Sequence, residues 1–243
     1  MTILSADEML RHWLLNLAIE YPVWLGHLFP AVAGQVLNVK AVPGCDAQDY
    51  ARGLIELFDS DLITMSSELP EDDVESRSGV TGILDRFLKL SNDDPRLQRE
   101  RRRSHLPGQV TFKLSALGGE AWETIAEPDW TRILTGSRDS TSGDLISPNR
   151  DLLMGFMGWY PEINQEGIEL ETITWQTHLD YEILYWKRLP LVYHASFRLH
   201  AAEPRWGSTV PIWFEAPRWF WEWRNSTGYW HKEPWHLPSW PSE

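Results

Sequence analysis

His194, Ser196, Arg198 and His200 stand at alternate positions in one short stretch and form the most chemically capable set in the sequence. On a strand beginning at Leu191, a period of two sends these four to one face and Tyr193, Ala195, Phe197 and Leu199 to the other. His178 and Asp180 lie upstream and complete the residue types of a Ser/His/Asp grouping. No Gly-x-Ser-x-Gly nucleophile turn accompanies them. The outward polar face of a half-buried strand explains the spacing, so no catalytic residue is assigned. His231, Glu233 and His236 offer two imidazoles and a carboxylate that zinc would accept. Pro234 breaks the helical register that would align them and no fourth ligand is evident, so neither a metal nor a cofactor is expected.

Two further groups suit binding rather than catalysis. Glu71, Asp72, Asp73 and Glu75 form an acidic cluster. They lack the Asp-x-Asp-x-Asp-Gly spacing of a calcium loop, which leaves a solvated loop or a docking point for a basic protein. In the run from Arg218 to Arg224, Trp219, Trp221 and Trp223 share one strand face. Exposed, such a row would stack on sugars, bases or a peptide; buried, it would build a sheet core with Phe220 opposite. Glu222 and Arg224 on the other face favour packing. These seven residues are the expected partner contacts.

Composition narrows the partner. The chain of 243 residues carries 35 Asp+Glu against 22 Lys+Arg, a net charge of −13. That sign repels phosphate and removes the electrostatic term behind sequence-independent binding to nucleic acid or an anionic membrane, while attracting a basic protein. The charge is uneven: residues 1–95 hold 16 acidic and 6 basic side chains, whereas Arg96, Arg99, Arg101, Arg102 and Arg103 fall within eight positions. Cys45 is the sole cysteine, which excludes an intrachain disulfide and suits a reducing compartment. Asp7 and Glu8 open the chain with no basic residue ahead of an apolar stretch, so no secretory leader is expected. Residues 21–39 are uncharged but interrupted by Pro22, Gly26, Pro30, Gly34 and Asn38, too broken for a membrane span. A cytoplasmic location is the expectation.

The elements that must carry these residues follow from periodicity and caps. Ser5 and Glu8 make a capping box, and Met9, Leu10, Trp13, Leu14, Leu17 and Ala18 recur at helical spacing behind it. A short buried helix within 21–39 and an extended stretch at 36–42 come next. Asp46 caps a helix bearing Tyr50, Leu54, Leu57 and Phe58, and residues 62–65 read as a strand. Residues 68–78 read as an acidic loop, Ser78 as the cap of a helix through Ile83, Leu84, Phe87 and Leu88, and residues 109–115 as a strand before a helix at 117–126. Residues 138–147 are rich in Ser, Thr and Gly without periodicity, the best domain boundary. Ser147-Pro148 then predicts a helix start and Pro161 its end. Beyond it the period becomes two, with strands at 168–175, 181–186, 191–200, 210–215 and 218–224 and an irregular, proline-containing strap at the C-terminus.

The segment 46–126 resembles the second half of a winged helix. The resemblance rests on its order of helix, short strand, inserted region, strand and helix. It rests also on Leu114-Ser115-Ala-Leu-Gly118-Gly-Glu-Ala-Trp122, similar to the Leu-Thr-x-x-Gly-x-x-x-Trp/Leu pattern that such proteins often carry where the last wing strand enters a helix. Serine replaces threonine, a second glycine follows the first, and residues 66–108 stand where the family has a tight hairpin. The resemblance implies a recognition helix at 48–61, and that helix carries Asp49, Glu56, Asp59 and Asp61 against Arg52 alone. Such a helix would meet the phosphates of a DNA groove with net negative charge.

The expected fold is α+β: an acidic winged-helix-like domain at 1–137 with an insertion at 66–108, then a tryptophan-rich, mainly antiparallel β domain with one leading helix at 148–243. The expected function is non-enzymatic binding of a basic protein, as an immunity or antitoxin-like protein does to a toxin. A winged-helix transcription regulator and a hydrolase or carbohydrate-binding module on the C-terminal strands are the alternatives.

Overall fold

The computed structural model describes residues 5–25, 28, 42, 44–89, 110–163 and 166–201. The expected helix and extended stretch within 21–42 fall largely outside these residues. So do the arginine cluster, His231, Glu233, His236, the strands at 210–215 and 218–224 with Trp219, Trp221 and Trp223, and the C-terminal strap. Among the described residues there are five α-helices and two antiparallel sheets, an α+β structure. They divide into two compact units, the first comprising residues 5–126 with Leu184–Trp186, the second Glu127–Ile183 and residues 187–201.

In the first unit, α1 (Ala6–Leu17) starts at the capping box: Glu8 N donates to Ser5 Oγ at 3.2 Å and Ser5 N to Glu8 Oε2 at 2.7 Å. Its stripe of Leu10, Trp13 and Leu14 is buried against α2 (Ala47–Asp59), which contributes Tyr50, Leu54 and Leu57. The helices meet closely at Gly53, where a Cβ would stand 2.9 Å from Leu14 Cδ1. Asp46 and Asp49 form a second capping box at the start of α2. At its end, Asp61 takes the left-handed conformation with φ 56, and Leu62 N and Asp61 N donate to Leu57 O and Phe58 O. That is a Schellman closure with aspartate where glycine is usual.

The chain then enters β2 (Ile63–Ser67), passes through α3 (Arg77–Lys89) and returns as β3 (Val110–Leu114). With β1 (Val23–Trp24) these make a three-stranded sheet in the order β1-β3-β2. Ile63, Met65, Val110, Phe112 and Leu114 alternate inward as the pleat requires. The cap of α3 is Ser76, whose Oγ accepts from Gly79 N at 3.1 Å, and Ser78 lies inside the helix. Ser76 is itself held by Asp73, so the cap is two residues earlier than Ser78.

The run 114–122 has a physical meaning in α4 (Ala116–Ala126). Ser115 Oγ accepts from Gly118 N at 2.9 Å and donates to Asp61 O at 2.5 Å, while Ser115 N donates to Leu62 O at 3.0 Å. Each glycine marks a close approach. A Cβ on Gly118 would fall 1.8 Å from the Leu62 carbonyl oxygen, and one on Gly119 would fall 2.0 Å from the Trp186 ring. Trp122 is fully buried, donates from Nε1 to Asn16 Oδ1 at 3.0 Å and meets the Trp186 indole edge-on at 5.9 Å. Trp186 Nε1 donates to Ile19 O at 2.8 Å, and Tyr185 Oη accepts from Leu114 N at 2.7 Å while donating to Ala18 O.

In the second unit, residues 138–147 are not an aperiodic connector. They form most of a hairpin of β4 (Thr135–Arg138) and β5 (Ser142–Ser147), in a four-stranded sheet of order β4-β5-β7-β6 with β6 (Glu166–Leu184) and β7 (Lys187–Ala201). The alternation is hidden because the inward positions of β5 hold Gly143, Leu145 and Ser147, only one of them a large apolar residue. Gly143 lies beneath Phe197, where a Cβ would be 2.7 Å from the ring. Leu145, Ala195, Phe197 and Leu199 make a core with Ile168 and with Leu153 and Met157 of α5 (Arg150–Ile163). Asn149 caps α5, accepting from Asp151 N and Leu152 N, two residues beyond the expected cap at Ser147, and the helix runs through Pro161 to Ile163. Beta strands β6 and β7 are longer than expected, and the turn between them is Tyr185-Trp186 instead of residues 187–190.

Three consequences are measurable. Gly118→Ala should destabilise the protein by about 1–3 kcal/mol in urea unfolding, because a backbone carbonyl cannot yield. Gly82→Ala on α3, where a Cβ meets nothing within 4 Å, should stabilise it by about 0.5–1 kcal/mol. In the β4–β5 turn, the N–H groups of Thr141 and Ser142, then their hydroxyls, hold the Asp139 carboxyl down at about 2. A depressed carboxyl contributes stability above its ordinary value of 3.8, and that contribution disappears as pH falls through about 2. Asp139→Ala should therefore lower the thermal midpoint at neutral pH, with the difference from wild type vanishing near pH 2.

Candidate functional site

The polar outer face of β5 and β7 brings together residues from three strands. Asp144 lies directly across from Ser196 in the ladder, and His194 is paired with Ile146, diagonal to Asp144. His194 Nε2 is 3.0 Å from Asp144 Oδ1, and Ser196 Oγ is 3.3 Å from that same Nε2. The hydrogen bond from Ser196 is the largest influence on the Asp144 carboxyl; burial opposes it, and with the bond from His194 the carboxyl is held below its ordinary range. The His178 ring of β6 packs at 5.6 Å from the His194 ring and 5.5 Å from Tyr181. His178 Nε2 is buried with no hydrogen-bond partner among the described residues.

This arrangement separates the expected set. His178, His194 and Ser196 come together, and Tyr193, Ala195, Phe197 and Leu199 face the core as alternation requires. Arg198 and His200 are exposed, with the His200 ring lying over Gly167. Asp180 turns away: it adopts φ 49 and binds Arg188 at 3.0 Å, with Glu182 on the same guanidinium at 3.7 Å. The carboxylate that does reach His194 is Asp144, which the sequence reading did not single out. A two-residue period across 142–147 would have placed it outward, but that stretch reads as a connector because glycine and serine fill its inward positions.

A serine nucleophile relay needs the base on one imidazole nitrogen and the orienting carboxylate on the other. Here serine and carboxylate share Nε2. With that nitrogen donating to Asp144, it has no lone pair with which to take the Ser196 proton. The trio is a cross-strand hydrogen-bonded clasp.

The acidic cluster also divides. The Asp72 side chain is only 2% exposed, accepts from Ser67 Oγ at 2.6 Å and pairs with Arg86. Burial pushes its carboxyl up, but the bonds from Ser67 and Arg86 outweigh this and leave it below the ordinary range. Asp73 accepts from the Ser76 hydroxyl and from the N–H groups of Ser76 and Glu75, which closes the turn before α3. Glu71 and Glu75 remain exposed. Among the described residues no group of three or more His, Cys, Asp or Glu side chains is placed to hold a metal ion, and no helix is long and apolar enough to cross a membrane.

The solvent side of α2 carries more carboxylates than arginines. Arg52 is bound to Asp49 at 2.8 Å and approaches Asp7 at 3.9 Å, and Arg77 of α3 pairs with Asp59 at 3.0 Å. Glu56 lies exposed between them, and Asp61 is exposed at the helix end. Arg52 and Arg77 thus each have a carboxylate, and the excess charge is negative.

The described residues define an α+β protein of two antiparallel sheets. No family model, curated protein or solved structure matches the chain.

The clasp geometry makes a direct prediction. Any hydrolysis of p-nitrophenyl acetate by the protein should be unchanged, within roughly twofold, in Ser196→Ala. A loss of more than about tenfold, with the fold retained by circular dichroism, would show that Ser196 attacks after all.

Proposed function

We propose that the protein is a non-enzymatic, cytoplasmic protein-binding protein of the immunity or antitoxin kind, which covers a basic toxin or enzyme with the acidic solvent face of α2. The observation that carries this reading is the charge of that face: Arg52 and Arg77 pair with Asp49 and Asp59, and Glu56 and Asp61 remain exposed in excess of them. Excess carboxylates on a rigid helix attract a basic surface and accelerate encounter, and they oppose docking on a phosphate backbone.

The choice of face goes with reading the first unit as a winged helix. The sheet order β1-β3-β2 supports this reading, in which α2 would hold the recognition position and α3 an insertion in the wing. The family position used for DNA would then carry the wrong sign for DNA, which is why a protein partner is preferred to transcriptional regulation. Fold alone does not decide function, so the charge and not the topology bears the weight. Glu71 and Glu75 extend the same acidic character. The tryptophans at 219, 221 and 223 are retained as partner contacts in this proposal, which does not depend on them.

The test is co-expression with the protein encoded by the adjacent gene, followed by titration calorimetry of the purified pair. The complex should weaken as salt rises, and Glu56→Lys with Glu71→Lys should cost at least about tenfold in affinity at low salt. A complex indifferent to salt and to both substitutions overturns the acidic-face reading. Retention of the chain's own upstream DNA at low salt, in place of protein binding, overturns the function.

A further inference from the structure

We draw no further inference here: the strongest candidate, the partly covered apolar margin of the second unit's core at Leu134, Phe156, Ile173, Trp175 and Tyr193 with Leu170 exposed on β6, carries none because nothing among the described residues shows what covers it.

Discussion

The Trp122 indole is the constraint on which the first unit turns. A buried tryptophan contributes a large apolar area but brings one N–H that must be satisfied. Asn16 of α1 supplies the acceptor, so the polar atom fixes the rotation of α4 against α1 while the ring fills the space beneath. The edge of Trp186 then closes that space, and its own N–H is satisfied by the Ile19 carbonyl. Two large rings fit in one place only if the helix backbone comes very near, a requirement that Gly119 meets against Trp186, while Gly118 lets the same turn approach the Leu62 carbonyl. Glycine inside a helix costs about 1 kcal/mol relative to alanine. Two in succession persist because the packing they permit outweighs that cost.

The same logic, with smaller parts, organises the second unit. Phe197 needs a flat surface beneath it, and Gly143 on the neighbouring strand leaves that surface open. A strand with glycine and serine inward has weak register of its own, because slipping it by one residue exposes little. Register is supplied instead from the ends and the outer face. Asp139 fastens the turn, Leu199 N donates to Thr141 O beyond it, and the Asp144, Ser196 and His194 clasp ties β5 to β7 on the solvent side. The polar cluster that looks most like a site therefore has a structural task, one that the shared Nε2 geometry suits and that a proton relay would not.

What the sequence discloses is what local chemistry decides. The capping box at Ser5, the cap at Asp46, the stripes of α1 and α2, and the two faces of β7 are all legible, because each depends on residues within one or two turns or on strict alternation. The hairpin at 135–147 is not legible, since the inward residues of β5 are large and apolar in only one position of three and Gly143 is covered by the ring of Phe197, distant in the chain. The turn at Tyr185-Trp186 is hidden for the opposite reason. Aromatic residues argue against a turn locally, and only their acceptors at Ala18 and Ile19 make that position favourable. Asp144 was missed with its strand, because a side chain's partners cannot be found before the element that aims it.

Locating the carboxylates changes what the net charge of −13 can mean. Asp46 and Asp49 cap α2, Asp72 is buried against Arg86, Asp73 closes a turn and Asp139 closes another. Each is already committed to N–H groups or to an arginine, and a carboxylate whose lone pairs are occupied offers less to a partner than an uncommitted one does. Docking by charge must then rest on side chains with no such structural duty, and Glu56, Glu71 and Glu75 are exposed without a role in a cap or buried pair. Two of these lie in the cluster that the sequence marks as acidic, but the better placed one stands on α2, where a helix that owes its position to Leu54 and Leu57 holds it rigidly in the solvent. Rigid presentation lowers the ordering cost of binding. On that ground the proposed docking of a basic partner falls to α2, and not to the loop whose aspartates are already engaged.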